Sequence, residues 1–283
     1  MSQFIERLAA SWRERNSLLC IGLDPIADDL PRSVRDARAP LFAFNRAIID
    51  ATAPWACAFK PQFACYGAVA AEAQLRQTIE YIHAHHPEVP VILDAKRGDI
   101  ADTAKFYARE AFARYDADAI TVSPYLGGDS LAPFLAYRDR HGADKGVFVL
   151  CRTSNPGSGD LQQLQCGART VAQQVAALAA GEWNRGGNVG LVVGATWPRE
   201  LGAVREMVGD MPLLVPGVGA QGGDLAAALD HGLRADGAGV LINASRSILH
   251  ASRDDDFAEA AAAAAEALCA RINRHRSRND SEK

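Results

Sequence analysis

The stretch Val91–Thr103 reads VILDAKRGDIADT, an apolar run that ends in Asp94, Lys96 and Asp99. A carboxylate and an ammonium this close either neutralise each other at a wet rim or, out of water, hold a fixed field for a reaction in which charge moves. Side chains alternate along a strand, so Asp94 and Lys96 are expected on one face. Lys60, in FKPQ at 59–62, ends another apolar run, and Asp24 ends an earlier one. A single charge at a strand end is ordinarily a solvated rim residue. Several converging from neighbouring strands need one another, and Lys60, Asp94, Lys96 and Asp99 are expected to form an alternating, mutually ionising chain. A second chemical signature is PGVGAQGGD at 216–224, a glycine-rich loop running into a helix, followed by NASRSI at 243–248 with Arg246. Backbone N–H groups, a helix N-terminus and an arginine make a phosphate seat, so a phosphorylated small molecule is the expected ligand.

The elements that must position these groups are legible as short apolar runs bounded by turns. Strands are predicted at 18–24, 56–62, 89–96, 119–124, 146–154, 188–196, 212–220 and 239–245. Helices are predicted at 41–52, 69–85, 101–113, 129–140, 168–180, 198–208, 225–231 and 257–272. Continuous rather than alternating apolar strands belong to a parallel sheet covered by helices. Eight strand–helix units predict a single α/β domain over 1–283, a (β/α)8 TIM barrel with an N-terminal helix. A doubly wound open sheet is the competitor, but the glycine-rich first turn it uses is missing here. Asp24, Lys60, Asp94, Lys96, Ser123, Thr153, Ser154 and Thr196 fall at predicted strand ends, the face where barrels keep their ligands. Two long stretches on that face, 25–40 and 155–167, are expected to border the site.

Composition narrows the partners. A net charge of −4 and a sequence pI near 6.0 give no electrostatic reason to expect nucleic acid or a membrane. The six cysteines show no metal-type spacing and read as reduced thiols of a cytoplasmic protein. The N-terminal MSQFIERLAASWRERN is an amphipathic helix and not a secretion signal. The alanine-rich 258–270 carries Glu259 and Glu266 and reads as a helix rather than a membrane span; the tail after Arg274 is expected to fray. His83, His85 and His86 close a predicted helix, where the dipole alone favours histidine.

The combination LDAKRGDIADT, FKPQ, PGVGAQGGD and NASRSI resembles the orotidine 5'-phosphate decarboxylase family, and CRTSNPGS at 151–158 is similar to its bacterial subgroup with expanded loops. The resemblance implies conversion of orotidine 5'-monophosphate to uridine 5'-monophosphate and CO2 without metal or organic cofactor. It implies that Lys96 stabilises a C6 carbanion and then protonates it, that Asp94 lies near the departing carboxylate, and that Lys60 pairs with the aspartates. Asp99 would come from the neighbouring subunit of a homodimer and reach the ribose, with Ile100 and Thr103 beside it. Asp24 would bind the ribose hydroxyls, Gln221 would lie between phosphate and pyrimidine, and Arg246 would clamp the phosphate. Ser154 would read the pyrimidine's amide edge, with Thr153 and Asn155 as neighbouring alternatives. A metal-dependent sugar-phosphate decarboxylase of the same barrel suite shares the third-strand motif, but it needs a carboxylate for Mg2+ where this chain has Lys60. A non-catalytic phosphate-binding barrel is the rival from another class.

Overall fold

The computed structural model describes residues 2–219 and 222–281, with side chains only as far as Ser277. Eight strands form one parallel sheet: β1 Leu19–Leu23, β2 Ala58–Pro61, β3 Ile92–Arg97, β4 Ala119–Val122, β5 Gly146–Arg152, β6 Val189–Val193, β7 Leu213–Val215 and β8 Val240–Ala244. The ladder runs in sequence order, with β8 returning to β1, and it closes between β2 and β3 through the parallel bridges Phe59↔Val91 and Gln62↔Asp94. Nearly every strand residue is buried, as expected for a sheet with side chains filling one face and helices covering the other.

Helix α1 (Gln3–Glu14) is capped by the Ser2 hydroxyl and closes the bottom of the barrel. Its Phe4 ring meets Phe148 edge-on at 6.1 Å, over Gly146, where a Cβ would collide with the Phe4 ring. Around the wall follow α2 (Pro40–Thr52), α3 (Glu72–His85), α4 (Ala101–Arg109), α5 (Gly128–Leu135), α6 (Val171–Ala180), α7 (Pro198–Val208), α8 (Leu225–Gly232) and α9 (Phe257–Ser281). In α9 the buried Ala261, Ala265, Cys269 and Ile272 fall four, four and three residues apart, an apolar stripe that turns the alanine-rich segment onto the barrel. Among the described residues no helix is long and apolar enough to cross a membrane.

Several boundaries differ from the pattern for identifiable reasons. The predicted 69–85 helix begins only at Glu72, because Ala70 sits at φ 53° and separates α3 from a short preceding helix, Phe63–Gly67, that the pattern does not show. The predicted 129–140 helix stops at Leu135, and the chain then folds into a turn bridged Arg138↔Asp144. The 101–113 helix finishes as a π-helical turn, Glu110–Arg114. Neither long stretch is irregular throughout: 25–40 contains turns at Ala27–Asp29 and Arg32–Arg35, and 155–167 folds into a helical turn, Gly159–Gln162, and a ribbon pairing Gln165–Cys166 with Arg169–Thr170. α9 runs on to Ser281, beyond the predicted end of that helix at Ile272.

Candidate active site

The strand ends open into a cavity of about 500 Å³. Asp24, Lys60, Asp94, Lys96, Ser154 and Arg246 all line it, so six of the residues singled out from sequence converge in space.

Asp94 is the hub. Its Oδ2 accepts from Lys60 Nζ at 2.8 Å and Gln62 Nε2 at 3.1 Å, and its Oδ1 from Lys96 Nζ at 2.7 Å and Thr121 Oγ1 at 2.8 Å. Lys60 also lies 3.9 Å from Asp24. Burial works against the Asp94 carboxylate, but the two ammonium groups outweigh it and hold its pKa well below the ordinary carboxylate range. Burial likewise opposes the Lys60 ammonium, and Asp24 and Asp94 outweigh it and raise its pKa above the ordinary value. The cluster is therefore a fixed set of two carboxylates and two ammonium groups, most of it out of water.

Lys96 reaches Asp94 by a route that strand alternation does not describe. The β3–β4 register shifts between Leu93 and Arg97, and Lys96 has the left-handed φ of 46°. Such backbone costs a non-glycine residue about 1 kcal/mol or more. The neighbouring strand supplies the compensation: Thr121 Oγ1 accepts the Ala95 and Lys96 N–H groups at 3.1 and 3.0 Å while donating to Asp94. On the outside, Arg97 forks onto Glu110 at 2.9 and 3.0 Å between the Phe63 and Tyr107 rings, which anchors the bulge to the helix wall. Thr121 and Gln62 are thus site residues that sequence reasoning missed. The only signal for Thr121 is one hydroxyl inside the apolar run AITV.

Asp99 does not join the chain of charges inside one protomer. Its carboxylate accepts from the Ile100 N–H at 2.8 Å, and Ile100 and Thr103 are exposed on the outer rim. The alternating chain expected from sequence is completed instead by Asp24, the residue just after β1.

At the other end of the cavity, Pro216, Gly217 and Val218 face Ser245, Arg246 and Ser247. Gly217, Gly219 and Gly222 have φ of 96°, 70° and 84°, which lets the loop turn its backbone tightly before Asp224 caps α8 by accepting from Ala226 and Ala227 N–H. Arg246 is exposed and, separated from β8 by Ser245 alone, opens the short helix Arg246–Leu249. Gln221 lies outside the described residues. Two buried acceptors lining the cavity, Asp24 Oδ1 and Asn243 Oδ1, have no hydrogen-bond donor among the described residues. Buried acceptors are normally satisfied, so these are suited to a ligand carrying hydroxyl or N–H donors.

A closed parallel barrel with a desolvated charge cluster at one end of its mouth and a glycine loop with an arginine at the other defines a barrel enzyme for a phosphorylated small molecule. Residues 17–263 match the model of the orotidine 5'-phosphate decarboxylase / HUMPS family, and the chain belongs to that family. It is 57% identical over 274 residues to the orotidine 5'-phosphate decarboxylase of Ralstonia pickettii (strain 12J), covering 97% of this chain and 99% of the relative. Among solved structures, an OMP decarboxylase of Leishmania donovani is 45% identical with a TM-score of 0.82, covering 98% of this chain and 99% of that one. A putative orotidine-monophosphate decarboxylase of Toxoplasma gondii is 39% identical with a TM-score of 0.85, covering 97% of each chain.

Proposed function

We propose that this chain decarboxylates orotidine 5'-monophosphate to uridine 5'-monophosphate, a step of pyrimidine nucleotide synthesis, by electrostatic stabilisation and proton transfer from Lys96, with no metal or organic cofactor. The observation that carries the reading is the Lys60–Asp94–Lys96 chain in a cavity that Arg246 and the glycine loop at Gly217 also line. The bond from C6 to the carboxylate carbon breaks, CO2 leaves, and the electron pair stays on C6. Lys96, half-exposed into the cavity, meets that charge with its ammonium and donates one N–H proton to C6; water then restores the ammonium. Asp94 stands beside the substrate carboxylate and repels it in the ground state. Lys60 keeps Asp94 ionised, and its ammonium fills the space between Asp24 and Asp94 that a divalent cation would otherwise occupy. Asp24 takes the ribose hydroxyls, Arg246 with the glycine loop clamps the phosphate, Gln221 lies between phosphate and pyrimidine, and Ser154 reads the pyrimidine's amide edge. Release of CO2 from orotidine 5'-monophosphate in the presence of EDTA, abolished in Lys96→Ala, tests the reading. Absence of that activity in the native protein overturns it.

The working unit we propose is a homodimer in which Asp99, Ile100 and Thr103 complete the partner's site. The support is their outward placement together with the apolar surface beside them: Phe106 and Tyr125 are 62% and 81% exposed, and Ile100 is exposed as well. Several exposed apolar side chains of this size on neighbouring segments suit an interaction surface. Mixing Lys96→Ala with Asp99→Ala protein restores about one quarter of native activity if one intact site forms in half of the dimers, and none if each site is made by one chain. The six free thiols suit a reducing compartment, and the cytoplasm is the proposed location.

A further inference from the structure

Arg152, the last residue of β5, is 1% exposed, yet no carboxylate grips it closely. Glu200 stands 3.7 Å from Nη2, and Nε and Nη2 have no hydrogen-bond acceptor among the described residues. Keeping a guanidinium out of water with so little compensation is unfavourable, so a different benefit must hold it there. Its contacts identify one. The guanidinium lies 4.1 Å from the centre of the Trp197 ring, Nη1 donates to Ser158 Oγ, and Gln162 Oε1 is 3.5 Å away.

Each of those three partners grips the segment 153–155. Trp197 Nε1 donates to Thr153 O at 2.9 Å. Gln162 accepts the Thr153 N–H at 2.8 Å and donates to its hydroxyl at 3.0 Å. Ser158 Oγ donates to Asn155 O at 2.6 Å. From the segment after β6, Thr196 Oγ1 donates to Ser154 O at 3.1 Å, and a Cβ on Gly194 would fall 2.7 Å from Ser154 Cα, so the two backbones touch.

We propose that Arg152 is a positioning residue for base recognition: wedged between Trp197 and the Gln162–Ser158 turn, it locks Thr153–Asn155 so that Ser154 is already placed when the pyrimidine arrives. The inference rests on the reading of 153–155 as the segment that meets the base. A polar contact held in place beforehand loses less on binding and keeps the reacting carbon in register with Lys96. The requirement is for a planar cation that lies flat on an indole while its Nη1 reaches both Ser158 and Gln162, a shape lysine cannot reproduce.

The test compares two ligands that share the phosphoribosyl part, uridine 5'-monophosphate and ribose 5-phosphate, as inhibitors of Arg152→Lys, Arg152→Met and Gln162→Leu. Gln162→Leu changes a surface turn and serves if the arginine variants do not fold. The expected result is a fall in kcat/KM and a weakening of uridine 5'-monophosphate of about tenfold each, with ribose 5-phosphate inhibition within about twofold of native. Equal weakening of both ligands, or native behaviour of Arg152→Lys, overturns the proposal, because general loosening or charge alone would then be the cause. Adding Gln162→Leu to Ser154→Ala is expected to cost less than about twofold more, since the group being positioned is already gone; full additivity overturns the proposal. Native activity in Ser154→Ala alone would overturn the role of Ser154, and the two-ligand comparison would still decide the role of Arg152.

Discussion

Asp94 at the top of the barrel and Asp118 at its bottom are almost equally buried, 7% and 5% exposed, and each is ringed by cations. Asp118 accepts from Arg7, from His83 at 3.1 Å and from the Val91 N–H at 2.8 Å, with Lys145 4.0 Å away. Burial opposes both carboxylates, and both are held below their ordinary pKa; for Asp118 the His83 hydrogen bond and Arg7 do this. By charge and burial alone the two are the same kind of object. They differ in where their partners face. The Arg7 end of the lower cluster ties α1 to the barrel floor, whereas Lys96 in the upper one is 47% exposed to a cavity of about 500 Å³. A buried ion cluster becomes a site when one of its members can turn to a ligand without leaving its partner unpaired.

Removing that member gives the largest separation of the two regions. Lys96→Ala is expected to lower kcat by at least about 10⁴-fold, since it deletes both the cation and the proton donor. Asp94 keeps Lys60, Gln62 and Thr121, so unfolding free energy should stay within about 1 kcal/mol of native. Denaturant melts beside turnover measurements check both. The reverse experiment is Asp118→Ala, which strands the Val91 N–H and takes the carboxylate away from Arg7 and His83, while Lys145 keeps Asp116 at 3.2 Å. A loss of about 3–5 kcal/mol is expected, with kcat/KM of the folded fraction unchanged. A catalytic defect in that variant would show that the floor communicates with the mouth.

The sequence displays the upper region well because charge interrupting an apolar run is conspicuous at a strand end. Lys60 and Asp94 come together where their strands place them, Lys96 joins them through the β3 bulge, and the eight-unit pattern is the barrel. The lower region escapes because its charges, Arg7, His83, Asp118 and Lys145, sit in four separate elements and look like ordinary surface residues until the barrel closes. Thr121 escapes for a related reason: its role exists only because β3 bulges, and a bulge follows from the local φ of Lys96 rather than from any periodicity. The Arg152 brace is hidden likewise, since Gln162 and Trp197 lie in different loops and meet it only after β5 and β6 pair. Asp99 marks the remaining limit, because one chain's sequence gives its place on the rim and not what faces it.

Thr121→Val probes a residue that belongs to both kinds of region. It removes a hydrogen bond to Asp94 and leaves the Ala95 and Lys96 N–H groups without their acceptor. Stability should fall by about 1–2 kcal/mol and kcat by about tenfold. An effect on only one of the two readouts would separate the backbone role of Thr121 from its carboxylate contact.

The smallest expected effect is on pH. Asp94 and Asp118 have folded pKa values below the ordinary 3.8, so each contributes stability above that pH and loses it as pH falls through the lower folded value. Lys60 has a folded pKa above the ordinary 10.5, so its contribution is complete below that pH and is lost as pH rises through the higher folded value. Acid therefore weakens both ends of the barrel together and cannot distinguish them. Between about pH 5 and 9 neither Asp94 nor Lys60 changes charge, and kcat should show no inflection from this pair. An acid limb in kcat/KM near about pH 6 then belongs to the second ionisation of the substrate phosphate. It should disappear when the phosphate-free nucleoside is the substrate. An acid limb that persists with the nucleoside would mean that a protein group titrates in the site, and that the field around Asp94 is softer than its four hydrogen bonds imply.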